Sequence, residues 1–237
     1  MIRKKNVNSS GMMEVVKVPP IVSVYRHAVH TFDVNSKKDL AKNVSQLKNM
    51  MNELKPEHLG FDKTLNDPNT WTIAGKAPCF QMPLHDHPYM HGLLKVISGV
   101  IKIKSFSEYP LKEAIKMVDF VGKAKLEAAR LAQGRHQRRR FFCEITQDQI
   151  CSSASPTCVL TPTISNYHEI QAMDAPAAFF DILSPPYDTF VQGIGPRRCH
   201  YYHIINQIST NVVELQETEV PECFYCDQAP YLGPILS

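Results

Sequence analysis

Leu93-Leu94-Lys95-Val96-Ile97-Ser98-Gly99-Val100-Ile101-Lys102-Ile103-Lys104 reads as two short strands joined at Ser98-Gly99. The second arm alternates apolar side chains with lysine, the period of a strand with one wet face. A Ser-Gly step between two such arms predicts a β-hairpin. Just upstream stands Met82-Pro83-Leu84-His85-Asp86-His87-Pro88. Residues two apart on a strand project to the same side, so His85 and His87 are expected to point together. Two neutral imidazoles on one rigid strand can grip a single iron, zinc, copper or nickel ion. With ten histidines in the chain, such a spacing also arises by chance, and the pair alone decides nothing.

Further apolar runs, broken by Pro and Gly, lie at 79–85, 92–106, 158–161, 177–183 and 199–206. Many short strands with turn punctuation predict a mainly β chain, a sandwich or barrel. Two segments carry a helical period instead. In 36–54, Ser36 is a candidate cap and Leu40, Val44, Leu47, Met51 and Leu54 recur every three or four residues. In 108–142, Pro110 stands near a helix start, followed by Ile115, Val118, Val121, Leu126, Ala129 and Leu131. The expected organisation is an N-terminal helical segment, 1–70, packed on a barrel domain, 71–237. The helical insertion at about 108–142 should lie outside the barrel.

The chain has 237 residues, 43% of them hydrophobic, so a substantial core is affordable. The formal charge of +3 is small, and a nucleic-acid role is not expected. Residues 111–140 hold nine Lys or Arg against three Asp or Glu, a local basic excess. No run of about 18 apolar residues predicts a membrane span. Met1-Ile2-Arg3-Lys4-Lys5 has the charge of a signal peptide without the apolar run behind it. Seven scattered cysteines suit reduced thiols better than a disulfide framework. A cytoplasmic protein is the expectation.

A metal site needs a third ligand, and His91, His136, His168, His200 and His203 are the candidates. Pro88 separates His91 from the pair, which suggests packing. His136 lies in the basic run Arg135-His136-Gln137-Arg138-Arg139-Arg140, a solvated kind of segment. His168 lies between two predicted strands, and a distant barrel strand can bring it beside the first pair.

At this point the residues carry a resemblance. Met82 to Pro88, continued by Met90-His91-Gly92-Leu93-Leu94-Lys95-Val96, resembles the first cupin motif of the cysteamine dioxygenase and plant cysteine oxidase family. Leu160-Thr161-Pro162 with Asn166-Tyr167-His168-Glu169-Ile170 resembles its second motif. Asp181-Ile182-Leu183-Ser184-Pro185-Pro186-Tyr187-Asp188 and Cys199-His200-Tyr201-Tyr202 match two further blocks in order. The likeness covers roughly 71–237 and is greatest to the animal cysteamine dioxygenase branch.

The resemblance implies a double-stranded β-helix, the cupin jelly-roll barrel, with iron(II), Fe2+, held by His85, His87 and His168. Many cupins add a glutamate four or five residues after the His pair; here those places are His91 and Gly92. Without that carboxylate, a substrate thiolate can supply the anion that the metal lacks. The implied reaction adds both atoms of O2 to a thiol, giving a sulfinic acid. The implied partners are O2 and a small aminothiol such as cysteamine, or a peptide with an N-terminal cysteine. The family implies a tie to oxygen sensing, and the chain is expected to act as a monomer.

Asp181 and Tyr187 correspond to pocket residues of the family, able to orient an amine, a water or dioxygen. Equally, Asp181 could cap a turn and Tyr187 pack on Pro185-Pro186. Cys199 and Tyr201 share a face if they lie on a strand. Animal relatives can link such a pair by a thioether, and the plain alternative is a buried thiol beside an aromatic. Cys223-Phe224-Tyr225-Cys226 is a lone Cys-x-x-Cys in a Pro-flanked loop, short of the four ligands of structural zinc. Cys151 and Cys158, seven apart in a Ser-rich loop, support nothing specific. Where the family has Pro-Gly-Met, this chain has Pro88-Tyr89-Met90. Two other function classes stand beside the enzyme: a cupin with isomerase or zinc chemistry, which metal identity would separate, and a binding module using Arg138-Arg139-Arg140.

Overall fold

The computed structural model describes residues 18–33, 38–61, 81–117, 138–173, 176–224, 226 and 230–237. Helices α1 (Pro20–Phe32) and α2 (Leu40–Asn52) and a 3-10 turn (Pro56–Leu59) come first. Strands β1 (Gln81–Asp86), β2 (His91–Ser98) and β3 (Val100–Tyr109) follow, then helix α3 (Leu111–Met117). The remainder is β4 (Arg140–Ser152), β5 (Cys158–Leu160), β6 (Tyr167–Ala172), β7 (Ala178–Ser184), β8 (Phe190–Val191), β9 (Gly195–Pro196), β10 (Tyr201–Gln207) and β11 (Val212–Thr218).

Six antiparallel strands close a barrel in the order β1-β10-β11-β4-β3-β6. A second sheet, β5-β2-β7, and a short β8-β9 ribbon complete the strands among the described residues. This is the mainly β cupin jelly-roll architecture that the four blocks imply.

The predicted hairpin does not form. β2 pairs with β5 and β7, whereas β3 pairs with β4 and β6. Gly99 turns the chain from one sheet to the other at φ 71°, and a side chain there would strike Pro176 and Ala177. The burial patterns give the reason. β2 is buried along nearly its whole length, as a central strand covered on both faces. β3 largely alternates, with one face toward the core.

On one face of β2, Leu93 and Ile97 pack with Ile21, Val24, Leu47 and Met51 of the two N-terminal helices. On the other, Leu94 and Val96 meet Ile101, Ile103 and Ile170 of the barrel. The helices therefore cover the second sheet, and burial of these faces drives their docking. α2 occupies 40–52 of the segment read as 36–54; Ser36 lies outside the described residues, and Asp39 stands at the N-cap position without a side-chain bond. α1 was absent from the sequence reading, although Pro20 at its first turn with Ile21, Val24 and Ala28 at helical spacing carries the signal.

The flanking strands run further into the insertion than expected: β3 extends to Tyr109 and β4 begins at Arg140. The connection is 110–139, of which α3 is helical and 118–137 lie outside the described residues, with His136 among them. α3 buries Ala114 against Phe142 and Val212. β4, paired with β3 from Val100↔Ser152 to Tyr109↔Phe142, was missed. So was β11. Cys151 and Cys158 thus sit on strands, with only the turn between them irregular.

Candidate metal centre

β1 lies between β10 and β6, and the register places His85 opposite His168 on one side and Tyr201 on the other. His87 stands one residue beyond β1. The three imidazoles are buried, at 5% exposure or less, with ring centroids 4.7 to 4.8 Å apart. Each offers a ligand atom within 4.8 Å of the others, the one such group among the described residues.

On His85 and His87 the ring nitrogens turned away from this centre are committed. His85 Nδ1 donates to the Pro83 carbonyl at 2.7 Å, leaving Nε2 as the acceptor. Tyr187 donates its hydroxyl proton to the Asp86 carbonyl at 2.7 Å, so its oxygen accepts from His87 Nδ1 at 2.8 Å. That bond fixes the tautomer of His87 with a lone pair on Nε2. Nε2 of His87 faces Nε2 of His168 across 3.1 Å. An ion about 2.1 Å from each would subtend roughly 95° there, an acceptable angle for a first-row metal.

Burial lowers the proton affinity of all three rings. His87 is brought down to about 3 by burial and then by His85. His168 falls well below its ordinary value through burial and repulsion from His85 and His87. His85 is lowered by burial, against the opposing pull of Pro83 and Asp86. Three neutral, converging nitrogens fit a metal cation, and the set includes no carboxylate.

Asn166 ties the ligands together. Its carbonyl accepts from His87 N at 3.1 Å, and its side-chain amide donates to the carbonyls of His87 and Thr161, each at 2.8 Å. The strand that carries His168 thus holds the loop that carries His87. Asn166→Ala is expected to weaken metal binding by about 10–100-fold, the usual scale for outer partners. Asn166→Asp, which loses both donors, should share the defect; an unchanged metal titration in both variants would remove Asn166 from this role.

Asp86 points away from the metal face, as alternation requires. Its carboxylate accepts from His200 N at 2.8 Å, His200 Nδ1 at 3.2 Å and the Tyr202 hydroxyl at 2.8 Å. His200 is therefore a carboxylate partner rather than a ligand. His91 packs against Phe32 at 6.0 Å, half-buried and outside the cluster. His203 is exposed on β10.

Asp181 lies on β7 and lines a cleft with Gly92, Leu94, Cys158, Leu160 and His168. Its Oδ1 is buried without a hydrogen-bond partner, and burial raises the carboxyl to about 7. Cys199 precedes β10, its thiol within hydrogen-bonding reach of the Tyr187 and Tyr201 hydroxyls and pushed up to about 11 by burial. The Tyr201 ring stands 6.4 Å from His85 and 6.0 Å from Phe224. Asn166, Asp86 and Tyr202 were not read as site residues, and His200 was weighed only as a metal ligand. The signal available for Asp86 was a charged residue between two inward-facing positions of a buried strand.

The PCO_ADO family model matches residues 77–236. The chain belongs to the PCO_ADO family. It is 30% identical over 228 residues to a human protein named 2-aminoethanethiol dioxygenase, covering 81% of each chain. It is 34% identical over 169 residues to a mouse protein of that name, covering 65% of this chain and 61% of the relative. A Dictyostelium discoideum protein, named probable 2-aminoethanethiol dioxygenase, is 26% identical over 150 residues, 63% of this chain and 57% of the relative. The PCO_ADO family is one of thiol dioxygenases, and the match spans β1 to β11. No helix among the described residues is long and apolar enough to cross a membrane.

Proposed function

We propose that this chain is an iron(II)-dependent thiol dioxygenase that converts cysteamine, or the N-terminal cysteine of a peptide, to its sulfinic acid. The observation that carries this reading is a group of three buried, neutral histidines with no carboxylate among its ligand atoms, and Gly92 in the cleft wall with His168. On β2, His91 faces α1 and Gly92 faces inward, so the place where many cupins hold a glutamate is left to the substrate. Iron(II), when bound, would supply thiol deprotonation and a place for O2 beside the sulfur, which itself gives up the four electrons that O2 takes.

The protein's own groups do the positioning. Pro83 and Tyr187 aim His85 and His87, and Asn166 fixes the loop between the ligands. Asp181 offers a buried carboxylate oxygen without a partner, suited to the ammonium of an aminothiol. As that cation pairs with it, the carboxyl gives up its proton. Cys199 beside Tyr201 is the pair in which a thioether would stiffen the wall near His85. A cytoplasmic setting suits these free thiols, and an oxygen-sensing role follows if the substrate is a protein N-terminus.

The test is anaerobic reconstitution with iron(II), then admission of air to cysteamine or a Cys-initiated peptide, read by mass spectrometry. A gain of two oxygen atoms on one thiol is expected. Zinc binding as tight as iron with no oxygen gain in the iron-loaded sample would overturn the reading.

Tyr89 bears on substrate choice. Pro88-Tyr89 forms a turn closed by Met90 N to His87 O at 3.1 Å, and Tyr89 adopts φ 58° and is 52% exposed. That is the glycine-favouring position of such a turn. Tyr89→Gly is expected to stabilise the fold by about 0.5–1 kcal/mol, relief of strain partly offset by the freer unfolded chain. With the ring gone, specificity for the peptide relative to cysteamine should rise by roughly 10- to 200-fold at most. Thermal melts and the ratio of the two kcat/KM values read both effects; an unchanged ratio would mean that the ring faces away from the mouth.

A further inference from the structure

The thiol chemistry outside the histidine group gathers at the turn between β4 and β5. Cys151, one residue before the end of the first strand, is buried, and Cys158 opens the second half-buried. Both belong to the cluster of Leu94, Val96, Ile101, Ile103 and Ile170. The Cys158 sulfur accepts from Gln149 Nε2 at 3.4 Å and lies within hydrogen-bonding reach of the Cys151 sulfur.

The turn between them is held from several sides. The Lys95 ammonium donates to the carbonyls of Ser153 and Ser155, both at 2.7 Å. Ser155 N donates to the Ser152 carbonyl at 2.9 Å, and Thr157 N to Asn52 Oδ1 at 2.7 Å. Two thiols are thus presented to one another by a fixed turn, with little chain entropy left to lose on joining them. Burial lowers the proton affinity of Lys95, which interacts with both thiols, and Lys48 is the cation that favours the Cys158 thiolate. Burial works against it and raises the Cys158 thiol to about 12, so the pair is slow to react rather than inert. Cys158 also lines the cleft with His168 and Asp181 and is only half-buried, so part of it meets solvent.

We infer that Cys151 and Cys158 are a redox modification site, a dithiol in the cleft wall that a small aminothiol disulfide converts to an intramolecular disulfide. The Cys158 thiolate attacks one sulfur of that disulfide and expels one aminothiol as its thiolate, leaving a mixed disulfide. The Cys151 thiolate then attacks the Cys158 sulfur and expels the second. The oxidant gains two electrons and becomes two thiols; the protein loses two hydrogens, whose protons pass to the departing thiolates. The oxidised form of the substrate pool would thereby rebuild the wall beside Asp181. This last consequence rests on the function proposed above, while the disulfide itself does not.

The experiment treats the full-length, metal-free chain anaerobically with cystamine and maps its peptides by mass spectrometry. A linked pair of peptides containing Cys151 and Cys158, lighter by two hydrogens and restored by dithiothreitol, is expected. Cys151→Ser should stop at an aminothiol adduct on Cys158, and Cys158→Ser should give neither product. A lasting adduct on Cys158 of the wild-type chain, or no reaction there while Cys223 and Cys226 are modified, would overturn the proposal. So would a link that forms only in denaturant. Failure of iron loading or of thiol oxidation would leave this readout untouched, so the two readings fail separately. With iron restored, the oxidised form should show a raised KM for cysteamine of about tenfold, the scale of a modest change in a pocket wall.

Discussion

Replacing His168 by alanine is expected to abolish iron(II) binding at micromolar metal while the barrel still folds. The ring supplies one of three ligand nitrogens, and the remaining pair is held by separate partners, Pro83 and Tyr187. The loss should exceed the roughly 10–100-fold typical of an outer partner. His85→Ala and His87→Ala should match it, whereas His91→Ala and His203→Ala should keep one iron per chain. Full occupancy in His168→Ala would sink the three-histidine assignment. A second readout needs no metal. His87 and His168 are held below their ordinary proton affinity by burial, so the unfolded chain takes up protons near pH 6.5 that the folded chain refuses. Stability is therefore complete above about pH 6.5 and falls as the pH drops toward 3. His168→Ala removes one such group, so the metal-free variant should lose less stability between pH 7 and pH 4.5 than the wild-type chain does.

Asp86→Ala should carry the largest stability cost among residues that hold no metal. Its buried carboxylate joins β1 to the start of β10 through three hydrogen bonds, from His200 twice and Tyr202 once. Removing it leaves the buried Tyr202 hydroxyl without its acceptor. A loss of about 3 kcal/mol is expected, which at this chain length lowers Tm by roughly 6–12 °C. Tyr202→Phe removes one of the three bonds and should cost about 1 kcal/mol. The cost of Asp86→Ala should also vary with pH. His200 is raised above its ordinary value, first by its bond to Asp86. A raised histidine contributes stability that is complete below about pH 6.5 and fades as the pH climbs through the folded value. The difference in Tm between wild type and Asp86→Ala should therefore be larger at pH 6 than at pH 9. A variant that melts with the wild type at both values would show that the carboxylate does not fasten these strands.

What the sequence could show was local. Strand periodicity at 100–104 and the His85-x-His87 spacing each depend on residues within a few positions of one another, where the backbone repeat alone sets direction. The order of the four blocks added the third ligand and the cupin fold by resemblance. What it could not show depended on partners distant in the chain. Ser98-Gly99 has the local chemistry of a hairpin, yet β2 and β3 part because β2 must bury both faces, between the helices and the barrel. β4 went unread because its burial does not alternate cleanly along its length. His168 meets His87 across 81 residues only through the β1-β6 register. Tyr187 was legible as a pocket residue by analogy, but its bond to His87 Nδ1 needed the chain to return 100 residues later. Periodicity records which way a side chain points relative to its neighbours. Which groups it meets is settled by strand pairing and by the burial that selects it.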